Sequence, residues 1–191
     1  MIGLIQDLLA HEFALFDEVV RYIIHQAFRN RWSWAMSTFG LIGSAYFLIP
    51  LIITAVVWIW INEKNRRLEL TFLAVVIIGG EVLDEGLRLL FHRPGPIGSS
   101  LPFTFPSEQS FISLSIYGFA AYLLFRHSGS AIARISAILI VIVMCLAVGV
   151  SRIYFDIQYP SDVAAGYAFG GTWLSLNVIV LEILRMIRND K

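Results

Sequence analysis

Five stretches of this chain, roughly 44–61, 69–91, 107–125, 131–150 and 161–187, are each apolar enough and long enough to cross a bilayer, which takes about 20 residues. No other feature limits the fold as much. Backbone inside lipid must satisfy its own hydrogen bonds, so segments of this length are helices. The expected fold is all-α: a polytopic transmembrane helical bundle of about five spans over 31–191, preceded by a different kind of segment over 1–30. Composition agrees, with 58% apolar and 15% charged residues against about 45–50% and about 25% in soluble domains. The formal net charge is zero, so no footprint for nucleic acid is expected. The single cysteine, Cys145, lies inside an apolar run and cannot form an internal disulfide. The opening residues lack a basic stretch leading into an apolar core, so no cleavable signal is expected.

In the first 30 residues Leu4, Leu8, Phe13, Phe16, Val20, Ile23, Ile24 and Ala27 recur at helical spacing. Asp7, His11, Asp17, Glu18, Arg21, His25 and Arg29 fall between them. That pattern predicts an amphipathic helix lying in the membrane interface, with a solvated polar face. Trp32 and Trp34 fit an aromatic belt. Residues 35–43, with Gly40 and Gly43, read equally as a re-entrant bend or as the entry to the first span.

Basic residues orient the bundle. Lys64, Arg66, Arg67, Arg126, Arg134, Arg185, Arg188 and Lys191, eight in all, share one side, which is therefore expected to be cytoplasmic. The connections 92–106 and 151–160 then face outward. Beyond the N-terminal helix, that side carries only Arg88, Arg93 and Arg152.

Three polar clusters converge there: Arg88 to Arg93-Pro94, Pro106-Ser107-Glu108-Gln109, and Ser151-Arg152 through Gln158 to Asp162. Two spans open on Pro-Ser, at Pro106-Ser107 and Pro160-Ser161. A helix start offers free N–H groups and the positive end of the dipole, and guanidinium groups grip phosphate bidentately. Arg93, Arg152 and a helix N-terminus at the membrane surface suit an anionic headgroup.

These clusters resemble the three signature motifs of the type-2 phosphatidic acid phosphatases, which share the vanadium haloperoxidase-like fold: Lys-x6-Arg-Pro, Pro-Ser-Gly-His and Ser-Arg-x5-His-x3-Asp. The resemblance covers roughly residues 69–187. It implies that Arg93, Ser107 and Arg152 coordinate phosphate. It puts Gln158 where the family's nucleophilic histidine stands, Asp162 where a carboxylate orients it, and Gln109 where a second histidine protonates the leaving group. Gly86 takes the motif lysine's place, with Arg88 nearby as a substitute cation, and Glu108 replaces the motif glycine. A glutamine amide neither attacks phosphorus nor delivers a proton, yet keeps an N–H₂ donor for phosphate.

The resemblance therefore implies a membrane protein that binds a lipid or isoprenoid phosphate on the extracytoplasmic side without hydrolysing it, as a carrier or sensor. Two rivals stand beside it: a lipid-phosphate or undecaprenyl-pyrophosphate phosphatase with silenced or altered chemistry, and a proton-coupled transporter. The carboxylates Glu81, Asp84 and Glu85 either pair with the nearby arginines or form a proton or cation site beside the pocket. Glu108 is expected to pair with an arginine and compete with the ligand, or to turn outward. His92 is the remaining histidine near the site. No metal or cofactor is implied. Partners are the bilayer and a membrane lipid phosphate, with a homodimer as an option. The small residues Gly166, Gly170 and Gly171 predict close helix packing, first of all inside the bundle.

Overall fold

Two serines set two of the helix starts. Ser107 and Ser130 take extended backbone, and their Oγ atoms accept from the N–H of Ser110 (3.3 Å) and Ala133 (3.5 Å), as N-caps do. The computed structural model describes residues 2–97 and 102–189. Every regular element among them is helical. In order they are α1 (Ile2–Ala27), a 3₁₀ turn (Asn30–Trp32), α2 (Ser33–Ile42), α3 (Ala45–Asn62), α4 (Arg66–Ala74), a π turn (Val75–Gly79), α5 (Gly80–Phe91), α6 (Glu108–His127), α7 (Ala131–Tyr154) and α8 (Pro160–Asn189).

Ser33–Asn62, Ala131–Tyr154 and Pro160–Arg188 are long and apolar enough to cross a membrane by length and composition. The other two expected segments are helical as well, but more polar, and for α6 burial in protein explains why. α6 is the central post: Ser110, Ser113 and Ser115 are buried beside Phe111, Ile116 and Phe119. α6 packs chiefly on α8 and α7, so its surroundings are side chains rather than lipid. α7 shows the opposite pattern, presenting Ile132, Ile135, Leu139, Ile142, Val143 and Leu146 outward.

Residues 35–43 form neither a loop nor an uninterrupted span. α2 stops at Gly43 and the chain restarts as α3, with Ser44 as the extended N-cap. A Cβ at Gly43 would meet Val148 Cγ1 at 2.6 Å, so glycine lets this bend press onto α7. Ser151 Oγ donates to Met36 O at 2.7 Å, and Tyr117 OH to Ile42 O at 2.5 Å. The π turn lies within the continuous rod of α4 and α5. It presents the Val76 carbonyl to Trp173 Nε1 at 3.0 Å.

The end of the bundle that carries the basic connections is held by ion pairs. Arg126 meets Glu63 (2.5 Å) and the buried Glu69 (2.7 Å), and Arg185 meets Glu69 (3.3 Å) and Glu182 (3.0 Å). α1 lies at the other end.

The small residues of α8 are used inside the bundle. A Cβ at Gly166 would lie 2.5 Å from Ser107 O, and one at Gly170 2.7 Å from Phe111 O. Both contacts are with α6 backbone, which cannot rotate away. Gly166→Ala and Gly170→Ala should therefore each cost about 1–3 kcal/mol through overpacking. Gly86→Ala, whose Cβ would meet nothing within 4 Å, should stay within about 0.5 kcal/mol. Reversible unfolding in detergent micelles checks this; equal losses at all three positions would mean that the α6–α8 contact is looser than described.

Candidate functional site

The start of α6 and the start of α8 lie side by side. Ser107 N–H donates to Asp162 O at 3.0 Å. Ser107 Oγ sits 2.8 Å from Ser110 Oγ and donates to Gln158 Oε1 in a close contact. Ser107, Gln158 and Asp162 are all buried. The second and third sequence clusters are thus joined through one serine.

Gln109 Oε1 accepts from Arg152 Nε in another close contact. A guanidinium nitrogen only donates, so the amide must turn its oxygen toward Arg152, and its N–H₂ remains a donor. Arg152 has no carboxylate within ion-pair distance among the described residues.

Arg93 is differently placed. Its Nη1 donates to Asp162 Oδ1 (2.5 Å) and Ser161 Oγ (2.7 Å), and its Nη2 to Asp17 Oδ2 (2.6 Å). Its guanidinium lies 4.6 Å from the centre of the Tyr159 ring. Asp162 Oδ2 accepts from Tyr159 N–H at 3.3 Å. The expected Asp162–Gln158 pair is therefore replaced: Asp162 turns to Arg93, and Gln158 to Ser107.

Arg88 is enclosed by acids. Asp84 lies 3.0 Å from it, Glu85 3.3 Å and Glu108 2.8 Å. Glu108 does pair with an arginine, but with Arg88 and not with Arg93 or Arg152. Glu81, one turn back on α5, is exposed. No group of three or more His, Cys, Asp or Glu residues fit to hold a metal occurs among the described residues. His92 ends α5 in a left-handed conformation (φ 48°), with its ring edge-on to Phe103 at 4.8 Å.

Asp17 is the residue at this site that sequence reasoning missed. On the polar face of α1, Asp17, Arg21 and His25 are docked onto the bundle, while Glu18 and Arg29 are exposed. The Asp17 side chain is 6% exposed and accepts from Ser161 N (2.7 Å) and Ser161 Oγ (2.8 Å). One and two turns on, Arg21 (2.6 Å) and His25 (3.1 Å) reach Asp156, and His25 stacks on Tyr154. Leu15, Val19, Tyr22 and Ile23 remain exposed on the other side. The side chains of Leu4, Asp7, Leu8 and His11 lie outside the described residues. The available signal was the spacing Asp17, Arg21, His25: one stripe of a helix, with charges complementary to Arg93 and Asp156.

Two cavities adjoin this end and the bundle wall. One of about 530 Å³ is lined by Asp17, Glu18, Arg21, His25, Arg93 and Tyr159. The other, about 220 Å³ and apolar, runs between α3, α6 and α7 past Phe47, Leu51, Tyr117, Val141 and Met144.

Arg126, read at first only as a topology signal, compensates two buried carboxylates. Arg126→Ala should cost about 3–5 kcal/mol, because Glu69 is left buried with less compensation. The exposed Arg67→Ala should cost under about 0.5 kcal/mol. Chemical unfolding of the two variants checks the difference, and similar stabilities would show that the pairing is weak.

Residues 69–184 match the family described as the PAP2 superfamily. Phosphatidylglycerophosphatase B of Bacillus subtilis (strain 168) is 26% identical over 132 residues, covering 68% of this chain and 65% of that protein. Bacitracin transport permease protein BcrC of Bacillus licheniformis is 27% identical over 125 residues, covering 60% and 56%. The match thus spans less than two thirds of either relative's length. Among solved structures, a transmembrane PAP2-type phosphatidylglycerolphosphate phosphatase from Bacillus subtilis superposes with a TM-score of 0.78, 22% identity, and coverage of 95% of this chain and 94% of that one. Aquifex aeolicus LpxE gives 0.62 at 22% identity, over 83% and 92%. At such identity the superpositions speak for the fold, and the motif-bearing region speaks for descent: this chain belongs to the PAP2 superfamily of membrane proteins.

Proposed function

We propose that this protein binds a lipid or isoprenoid phosphate at the outer ends of α6 and α8 and does not hydrolyse it. One observation carries the reading. Arg152 is a half-buried cation with no carboxylate within ion-pair distance among the described residues, Glu108 acting on it only at longer range, and it faces Gln109 at the start of α6. A guanidinium in that setting favours an anion, and a helix N-terminus adds to the attraction. The apolar cavity between α3, α6 and α7 suits an acyl or isoprenoid chain. The relatives' names, a phosphatidylglycerophosphatase and a transport permease, support a phosphate-bearing lipid ligand without choosing between catalysis and carriage.

Hydrolysis would need a nucleophile and a proton donor where Gln158 and Gln109 stand. Each glutamine oxygen instead accepts a hydrogen bond, from Ser107 and from Arg152. Losing a covalent nucleophile alone costs on the order of 10⁶ in rate. We expect no phosphate release from phosphatidic acid or undecaprenyl pyrophosphate above a protein-free control. The Gln109→His/Gln158→His variant tests whether the rest of the site still supports chemistry. Turnover by the unaltered chain would overturn the non-hydrolysing reading in favour of the phosphatase. Arg152→Ala should weaken binding of short-chain phosphatidic acid at least about tenfold, as befits a lost charge-assisted contact, while Arg67→Ala leaves it unchanged.

The five-span topology, with the site extracytoplasmic and the C-terminus cytoplasmic, belongs to the same proposal. The basic residues gathered at the Arg126 end support it. Because Cys145 is buried, a cysteine introduced at Gly98 is the one an impermeant maleimide should label in intact cells. Labelling at Asn65 instead would invert the orientation.

A further inference from the structure

Five carboxylates crowd two of the three arginines of the motif clusters, three on Arg88 and two on Arg93. Four of them come from the helices that carry the motif clusters. Asp17 does not: it is brought in by α1, from a segment outside the matched region 69–184. Its carboxylate lies between Arg93 Nη2, Ser161 Oγ and the Ser161 N–H at the start of α8, at 2.6, 2.8 and 2.7 Å. One guanidinium donor, one hydroxyl and one helix-start N–H around a pair of anionic oxygens is the set of contacts a phosphate would take. The cavity of about 530 Å³ opens onto this group, with Arg93, Tyr159 and Asp17 among its walls.

We propose that Asp17 is a resident anion that determines which headgroups gain Arg93. A phosphate enters by the α1 cavity and contacts Arg93 and the start of α8 only by replacing the Asp17 carboxylate. The inference rests on the proposed binding of phosphate near Arg152 and deepens it. α1 is then a displaceable wall of the site. Its second anchor, Arg21 and His25 on Asp156, sets how readily it yields. Apparent affinity falls by the fraction of molecules in which the internal competitor is out of place, so weakening either anchor raises affinity. A purely structural Asp17 predicts the reverse, because its loss would loosen Arg93 and the ligand with it.

The test measures binding of inorganic phosphate and of dihexanoyl phosphatidic acid, separately, by calorimetry on the full chain in phosphatidylcholine nanodiscs. Asp17→Asn should tighten binding at least about tenfold. Adding Arg93→Ala to it should abolish the gain. Asp156→Asn leaves every Asp17 contact in place and loosens only the second anchor. It should tighten binding in the same direction, and it decides the matter if Asp17→Asn fails to fold. A gain for phosphatidic acid alone identifies a lipid headgroup as the ligand, and a gain for both identifies phosphate itself; either supports the displacement. If the unaltered chain binds in an Arg152-dependent way and neither variant tightens, the Asp17 inference is wrong while the binding proposal survives. If neither ligand binds to the unaltered chain or to any variant, both are wrong.

Discussion

The backbone approach of α6 to α8 is the constraint on which the rest of this end depends. Gly166 and Gly170 bring α8 against the carbonyls of Ser107 and Phe111, and the Ser107 N–H closes on Asp162 O. Two helix starts are thereby fixed side by side, a distance that longer side chains would not allow. With the starts placed, Ser107 can reach Gln158 and Asp162 can reach Arg93. Ser161 becomes the point on which α1 closes. Tight packing between two helices is in this sense the first step in building the site.

Charge then divides the site into unlike parts. Arg88 and Arg93 are held by acids on their own or neighbouring helices, while Arg152 is held by an amide. Buried ion pairs of this kind add little net stability, because desolvation offsets most of the attraction. Their effect is positional: each arginine is aimed and partly neutralised before any ligand arrives. Under the binding proposal, Arg152 is the cation of the three clusters that an incoming phosphate would meet with no carboxylate in direct contact, Glu108 acting on it only at longer range. At Arg93 it must compete with carboxylates already in place.

Much of this was legible in the sequence, for reasons of chain distance. The Pro-Ser starts of α6 and α8, the Asp84–Arg88 step and the small residues of α8 are local patterns, and each follows from a helical period or a cap. The five apolar segments likewise correspond to helices. Asp17 could not be placed in the same way, since its partner Arg93 is 76 residues distant and a polar helix face reads the same whether it meets water or protein. The π turn was hidden because Val75–Gly79 is as apolar as any span; the Trp173 indole that bonds its Val76 carbonyl lies far along the chain. Arg126 and Arg185 were correctly placed at one end, but as topology signals. That they neutralise Glu69 depends on how α4, α6 and α8 pack.

The two glutamines have a structural consequence of their own, whatever their bearing on chemistry. Gln109 links α6 to α7 through Arg152, and Gln158 links the α7–α8 connection to α6 through Ser107. An imidazole in either place would be donor or acceptor at a given nitrogen according to its tautomer and charge, and so would change with pH in the physiological range. A glutamine offers an acceptor and a donor at once and does not titrate there. These two bonds, both between the second and third clusters, therefore involve no group that titrates in the physiological range. A covalent phosphatase must let its nucleophile become charged and later neutral again during turnover, so its geometry alternates with its chemistry. With amides at both positions, neither side chain can alternate in that way. Under the proposed reading, that constancy suits the fixed contacts to a ligand, and movement is asked only of the carboxylate that would admit it.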